Sequence, residues 1–291
     1  MKAPLVLDID GSVGVLPGAT VLDLRDWHEA LRFACSTGRL RAAVQALDAR
    51  MPREHGTAFL GSGDFHHLSW PLIERQRARG PFDVVVFDNH PDNMRFPFGI
   101  HCGSWVRRVA LLPYVAHVHV VGITSGDVGA AHAWENYLTP LRRAKLTYWT
   151  IGVDTGWSKR LGLIHAFRAF DDASALLDAF AAQRRTATLP VYLSIDKDVL
   201  SADVAHTNWD QGCLLDTHLF DAIESLRGRV FASDITGDVS VHRYATRWKR
   251  WLSALDDQPE IDPAQLVLWQ SQQHALNLRL LDRIAAASAE S

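Results

Sequence analysis

The chain lacks a long hydrophobic run: no stretch approaches the roughly 20 apolar residues that span a bilayer, so membrane insertion is not expected. It is poor in cysteine. Cys35, Cys102 and Cys213 are odd in number and far apart, which argues against a disulfide framework and for a reducing, cytoplasmic setting. It also lacks a surplus of charge: 30 Lys and Arg against 33 Asp and Glu leave a net −3, and the basic residues are scattered. Nothing there offers the basic footprint that nucleic acid or an anionic membrane requires. No repeat, low-complexity segment or clear linker interrupts the sequence. Lys2 is followed by a short apolar run that soon meets Asp8 and Asp10, so no secretory leader is expected. What the 291 residues do supply is a 47% hydrophobic composition, enough for a large core.

Short apolar runs alternate with longer amphipathic ones. Strands are expected at Leu5–Ile9, Thr57–Leu60, Phe82–Phe87, His117–Ile123, Leu146–Gly152, Val191–Ile195 and Val230–Ile235, mostly without in/out alternation, as suits strands buried on both faces. Helices are expected at Asp26–Asp48, Leu68–Arg79, Ala130–Ala144, Asp172–Arg184, Leu214–Leu226 and about Pro263–Ala287. This rhythm implies an α/β fold with a mostly parallel sheet covered by helices on both faces. The loop around Gln258–Pro263 is the nearest thing to a boundary, but too little chain follows it for a second domain, so residues 1–291 read as one domain.

In such sheets ligands bind beyond the carboxyl ends of the strands, and that is where the polar groups gather. The first expected run of this kind ends in "GSGDFHH", the next in "DNHPD", and a third in Asp196, Lys197 and Asp198; Asp234 and Asp238 stand near a fourth strand end. Asp88, His90 and Asp92 occupy alternate positions, which converge if extended geometry persists past Asp88. Carboxylates and imidazoles crowded onto two or three strand ends repel one another unless cations hold them. The set His66, Asp88, His90, Asp92, Asp196 and Asp198 suits divalent ions such as Mn²⁺. Two such ions about 3.5–4 Å apart share carboxylates and hold one hydroxide between them.

"DNHPD", with Asp88, His90 and Asp92, resembles the Asp-x-His-x-Asp motif of the arginase and agmatinase (ureohydrolase) family. "SIDKD", with Ser194, Asp196 and Asp198, resembles its Ser-x-Asp-x-Asp motif, and "GDFH", from Gly63 to His66, its Gly-Gly-Asp-His motif with one residue inserted. Order and spacing hold over roughly residues 57–240. The resemblance implies a three-layer α/β/α fold and two Mn²⁺ per chain, other divalent transition metals being allowed. It implies hydrolysis of C–N bonds in a small guanidino, amidino or related amide substrate by activated hydroxide. Carried over by position, His66, Asp88, Asp92 and Asp196 surround one ion, and Asp88, His90, Asp196 and Asp198 the other, with Asp88 and Asp196 bridging. His67 is the alternative to His66. His101, in "GIHCGSW", is similar to the family histidine that shuttles a proton to the leaving amine. Family members commonly form trimers or hexamers, so a homo-oligomer is allowed.

The chain departs from the family where substrate is read. Gly237 stands where the family places a Glu that pairs with guanidinium, and Asp238 follows one residue late as the candidate substrate anchor. After Asp198 the family's Gly-Thr-Gly turn is replaced by "HTNWDQG", from His206 to Gly212, which implies a differently shaped pocket. Two other readings compete. The chain is a metal-binding protein of this fold without turnover, as Gly237 suggests; or "LVLDIDGS", with Asp8 and Asp10, is the opening motif of a haloacid dehalogenase-type phosphatase. Asp64 is expected to cap the helix that follows it, and Lys197 to point away from its neighbours Asp196 and Asp198.

Overall fold

The structure, a computed structural model, describes residues 2–250 and 261–288. Eleven strands are present among them: β1 (Leu5–Asp8), β2 (Thr20–Asp23), β3 (Ala34–Cys35), β4 (Ala58–Phe59), β5 (Phe82–Phe87), β6 (Ile100–His101), β7 (Val115–Ile123), β8 (Leu146–Ile151), β9 (Phe167–Phe170), β10 (Val191–Asp196) and β11 (Val230–Thr236). Nine form one sheet in the order β2-β1-β4-β11-β10-β5-β7-β8-β9, every pairing parallel, while β3 and β6 make a small antiparallel pair.

Side chains of successive residues leave a strand on opposite faces, and the core divides accordingly. On β5, Phe82, Val84 and Val86 enter one apolar cluster, and Val85 and Phe87 the other. Tyr192 of β10 joins the first cluster, whereas Val191, Leu193 and Ile195 join the second. The first is covered by helices Thr37–Asp48, Ser69–Glu74, Val106–Ala110 and Leu138–Arg142; the second by Ala173–Thr186, Asp216–Glu224 and Pro263–Ala287. The result is the three-layer α/β/α arrangement that two-sided apolar strands require.

Local chemistry sets the helix ends. Pro263 opens the last helix, where its missing N–H is no loss, and the Asp262 carboxylate accepts from Ala264 N (2.9 Å) and Gln265 N (3.4 Å). Asp172 caps Ala173–Thr186 by accepting from Ala175 N at 2.8 Å. Three expected helices differ. Leu68–Arg79 is the shorter helix Ser69–Glu74, followed by a separate turn at Arg77–Arg79. Asp26–Asp48 is broken because Phe33 takes a left-handed conformation (φ 65°) and Ala34–Cys35 pairs with β6; Ser36 then caps a fresh helix. Ala130–Ala144 shrinks to Leu138–Arg142, because Asn136 Nδ2 bonds Asp127 O (2.8 Å) and Tyr137 O accepts from Asn93 Nδ2 (2.8 Å), fixing the preceding stretch as loop. Asp64 is not a cap: Ser62 is, and Asp64 pairs with buried Arg32 Nε at 2.7 Å. Of the boundary expected near Gln258–Pro263, positions 258–260 lie outside the described residues. Among the described residues, no helix is long and apolar enough to cross a membrane.

Phe180 is fully buried, its ring edge-on to Phe87 (5.8 Å) and Trp149 (5.5 Å), so it joins the Ala173–Thr186 helix to the sheet. Phe180→Ala is expected to lower unfolding free energy by about 3–5 kcal/mol, read from urea denaturation. A change below about 1 kcal/mol would show that this contact does not hold the layer.

Candidate metal centre

Strands β4, β11, β10 and β5 are adjacent at the middle of the sheet, and their carboxyl ends deliver the expected residues to one place. His66 comes from the short helical segment after β4, Asp88, His90 and Asp92 from the loop after β5, and Asp196 and Asp198 from the end of β10. All six line one cleft, together with Phe33, Met94, His101, Cys102 and Trp209. Alternation along a strand does not produce this convergence. Strand β5 stops at Phe87, and the loop turns back through Asp92, which is left-handed at φ 46°. The Trp105 indole N–H fixes Asp92 by donating to Oδ2 at 2.6 Å.

Asp88 stands between the two histidines. Ligand atoms of His66, Asp88 and Asp196 lie within 4.8 Å of one another, and so do those of Asp88, His90 and Asp198. His66 Nδ1 is 2.9 Å from Asp92 Oδ2, 3.2 Å from Asp88 Oδ2 and 3.4 Å from Asp196 Oδ2. His90 Nδ1 is 3.0 Å from Asp198 Oδ2 and 3.6 Å from Asp88 Oδ1. Asp88 alone belongs to both groups; Asp196, expected to bridge as well, belongs only with His66. His67 faces elsewhere: its Nε2 lies 3.9 Å from Cys35 Sγ, away from the carboxylates. The outer nitrogen of each of the two histidines among the candidate ligands is anchored. His66 Nε2 meets Ser194 Oγ at 3.0 Å, and His90 Nε2 meets Asp210 Oδ1 at 2.7 Å.

Four buried carboxylates so close together cannot all ionise without countercharge. Burial pushes Asp92 up to about 7 and Asp198 to about 6, the Asp88 charge adding to both. Asp196 is raised by burial and by Asp198. Burial opposes the charge on Asp88 too, yet hydrogen bonds and charge from His66 and His90 outweigh it and hold that carboxyl at about 2. Burial would lower both histidines, but their carboxylate partners raise them well above the usual range. Protons therefore do the neutralising, at positions where cations would do the same. Asp88 Oδ2 is buried without an aligned hydrogen bond, an acceptor left open toward the centre of the cluster. Oxygen donors with two imidazole nitrogens suit Mn²⁺ or a related divalent ion, so the residues fit the implied metals.

His101 lines the cleft, and burial lowers its imidazole to about 4. Its Nδ1 accepts from Gly103 N at 3.0 Å, which leaves the proton of the neutral ring on Nε2. Asp238, expected to anchor substrate, does not reach the cleft. It is fully buried and accepts from Lys197 Nζ (2.5 Å) and Asn277 Nδ2 (3.0 Å), so its charge is already met. Lys197 does point away from its acidic neighbours, into this internal pair. The departure at Gly237 has a steric reason: at φ +90° a Cβ there would sit 2.5 Å from Asp196 Oδ1 and 2.6 Å from Lys197 N. No glutamate fits beside this form of Asp196. Asp8 and Asp10 also lie outside the cleft. Asp8 pairs with Arg25 at 2.7 Å, while Asp10 shapes its own turn through Ser12 and accepts from Ser240 Oγ at 2.7 Å.

The sequence did not point to several residues that shape this cleft. Phe33 stacks between Trp209 (6.0 Å, 12°) and His101 (6.1 Å, 25°), giving the cleft an aromatic wall; in sequence it lies inside an apolar helical pattern. Asp234, which the sequence placed near a strand end without a role, accepts from Ser69 Oγ (3.0 Å), Ser194 Oγ (2.6 Å) and Tyr192 OH (2.6 Å), and so stands behind the serine that meets His66. Ser194 had a motif to mark it, whereas Asp210 had only its place in an unusual loop.

Known proteins match both the sequence and the fold. The profile described as "Arginase family" matches residues 14–236. An uncharacterized protein of Thermotoga maritima is 29% identical over 197 residues, which are 67% of this chain and 63% of that relative. Proclavaminate amidino hydrolase of Streptomyces clavuligerus has a similar structure (TM-score 0.53, 15% identity, 98% of this chain and 93% of that one). So do arginase of Bacillus caldovelox (0.53, 13%, 96% and 98%) and formimidoylglutamase of Bacillus subtilis (0.51, 15%, 97% and 86%). Identities this low speak for the fold alone, but the family match runs through β4, β5, β10 and β11, whose ends frame the cleft. The chain belongs to the arginase family.

Proposed function

We propose that this protein is a metal-dependent hydrolase of a non-peptide C–N bond in a small substrate, with two divalent cations, manganese first among them, on the cleft floor. The observation that carries the reading is Asp88, one carboxylate shared by two His/Asp groups at adjacent strand ends. His66, Asp92 and Asp196 would hold one ion with Asp88, and His90 and Asp198 the other. Two such ions, when bound, bring water toward neutral pKa and stabilise charge that develops in the reaction.

The protein's own residues shape the remainder. His101, kept neutral by burial with its proton on Nε2, offers a hydrogen bond from that nitrogen to the substrate rather than an acidic proton. Phe33 and Trp209 give a planar substrate group an aromatic face, and their bulk keeps water from one side. Among the described residues, the cleft lining contains no carboxylate beyond the four ligand candidates. A guanidinium or amidinium would therefore go without the planar anionic partner it needs, and an uncharged amide fits better.

Protein purified without chelators and loaded with Mn²⁺ is expected to carry about two ions per chain by elemental analysis. Ammonia or amine release from small uncharged amides is expected to exceed urea release from guanidino compounds by about tenfold or more. Absence of bound metal overturns the reading; a preference for guanidino compounds overturns the substrate assignment; and two ions with no turnover on any compound support the non-catalytic reading instead. Asp88→Asn removes the shared charge, and both ions are expected to be lost at micromolar metal while circular dichroism stays native.

Binding must also displace protons. Asp92, at about 7, and Asp198, at about 6, both sit above the usual carboxylate range, and the facing carboxylates raise His66 and His90 well above the usual imidazole range. A raised group is protonated below its pKa, so Mn²⁺ affinity is expected to rise with pH through about 6 to 8 and to fall below it. Titration calorimetry in buffers of different ionisation enthalpy would reveal the released protons. A pH-independent affinity would contradict these assignments.

A further inference from the structure

Asp210 belongs to the loop that replaces the family's glycine-rich turn, and nothing in the motifs marks it. Its side chain is 66% exposed, yet it is held from two sides. Asp210 Oδ1 is 2.7 Å from His90 Nε2, while Oδ2 and the backbone carbonyl of Asp210 both accept from Asn89 Nδ2, at 3.2 and 3.1 Å. Asn89 is fixed in turn, its Oδ1 accepting from Thr124 Oγ1 (2.5 Å) and Thr124 N (3.1 Å). The carboxylate is thereby held against the ring rather than swinging in solvent.

A neutral imidazole carries one proton. With a carboxylate at Nε2 that proton belongs on Nε2, which leaves the Nδ1 lone pair directed at Asp88 and Asp198. His66 reaches the same state by another route. Ser194 donates its hydroxyl to Asp234, so its oxygen accepts from His66 Nε2–H, and this relay is wholly buried. We infer that Asp210 is the positioning residue for His90: it sets the tautomer and ring orientation that one of the two ions requires. The inference rests on the two-ion reading above and goes beyond it, because it assigns to the substituted loop a part in only one half of the centre. Outer carboxylates of this kind typically contribute 10–100-fold in metal affinity.

The test is a titration of chelator-stripped protein with Mn²⁺, counting free ion by its electron paramagnetic resonance signal. For Asp210→Ala, one class of site is expected to weaken by about 10–100-fold while the other is unchanged. Asp210→Asn keeps an oxygen for His90 Nε2–H but loses the charge, and is expected to fall between Asp210→Ala and the parent. Asn208→Ala serves as the structural control. It removes three bonds that pin the same loop, Asn208 Nδ2 to Ser240 O (2.8 Å), Ser240 N to Asn208 Oδ1 (2.9 Å) and Ser62 Oγ to Asn208 Oδ1 (3.4 Å), without touching His90. Parent-like binding of both ions in Asn208→Ala supports the assignment. Parent-like binding in both Asp210 variants overturns it, as does an equal loss in Asn208→Ala, which would reduce Asp210 to a loop tether. A parent protein that binds no ion overturns the two-ion reading itself, and this inference with it.

Discussion

The constraint on which the site depends is repulsion among Asp88, Asp92, Asp196 and Asp198, four carboxylates 5% exposed or less and joined by only two imidazoles. Burial and mutual charge push three of them toward neutrality, and only Asp88, wedged between both histidines, is held firmly ionised. A fold keeps such a cluster only if the surrounding structure over-determines it. The surroundings do so with groups that are not acidic. Trp105 donates to Asp92, the Asn89 amide to Asp198 Oδ1 at 3.0 Å, and the Asp198 amide to Asp196 Oδ1 at 3.1 Å.

The sheet order turns that local problem into a site. Because β4, β11, β10 and β5 are neighbours, segments more than a hundred residues apart in sequence end side by side. The apolar faces of these strands are buried in two layers, so the strands cannot shift to relieve the charge above them. Stability made below the site thus holds a strained arrangement at its top. The same crowding explains the family departure at 237: once Asp196 and Lys197 approach that backbone so closely, glycine is the residue that fits.

Much of this was legible in sequence. Strand β5 and the last helix have the expected bounds because their signals are local: five apolar residues in a run of six, Phe82–Phe87, in one, Asp262 and Pro263 at the start of the other. The six candidate ligands were legible because they stand at strand ends, where α/β sheets place their chemistry. What was not legible depends on contacts distant in sequence. Phe33 interrupts a helical pattern because its N–H donates to Asp64 O (3.0 Å) and its carbonyl accepts from Cys102 N (2.9 Å), and no local residue announces either bond. Asp238 looked available because its spacing could not reveal Lys197 beneath it. Asp210 went unassigned because its partner lies 120 positions earlier.

The pair of Lys197 and Asp238 ties the centre to the end of the chain. Asn277, on the last helix, accepts from Lys197 Nζ at 2.9 Å and donates to Asp238 Oδ1 at 3.0 Å, all three side chains being fully buried. Lys197 sits between Asp196 and Asp198, so the backbone that presents those two carboxylates is secured by a residue synthesised some eighty positions later. The end of β10 and the segment after β11 are thus joined at their buried ion pair by one amide from the last helix. The last helix therefore braces the cleft from behind, through the backbone of Lys197, without lending a described residue to the cleft lining.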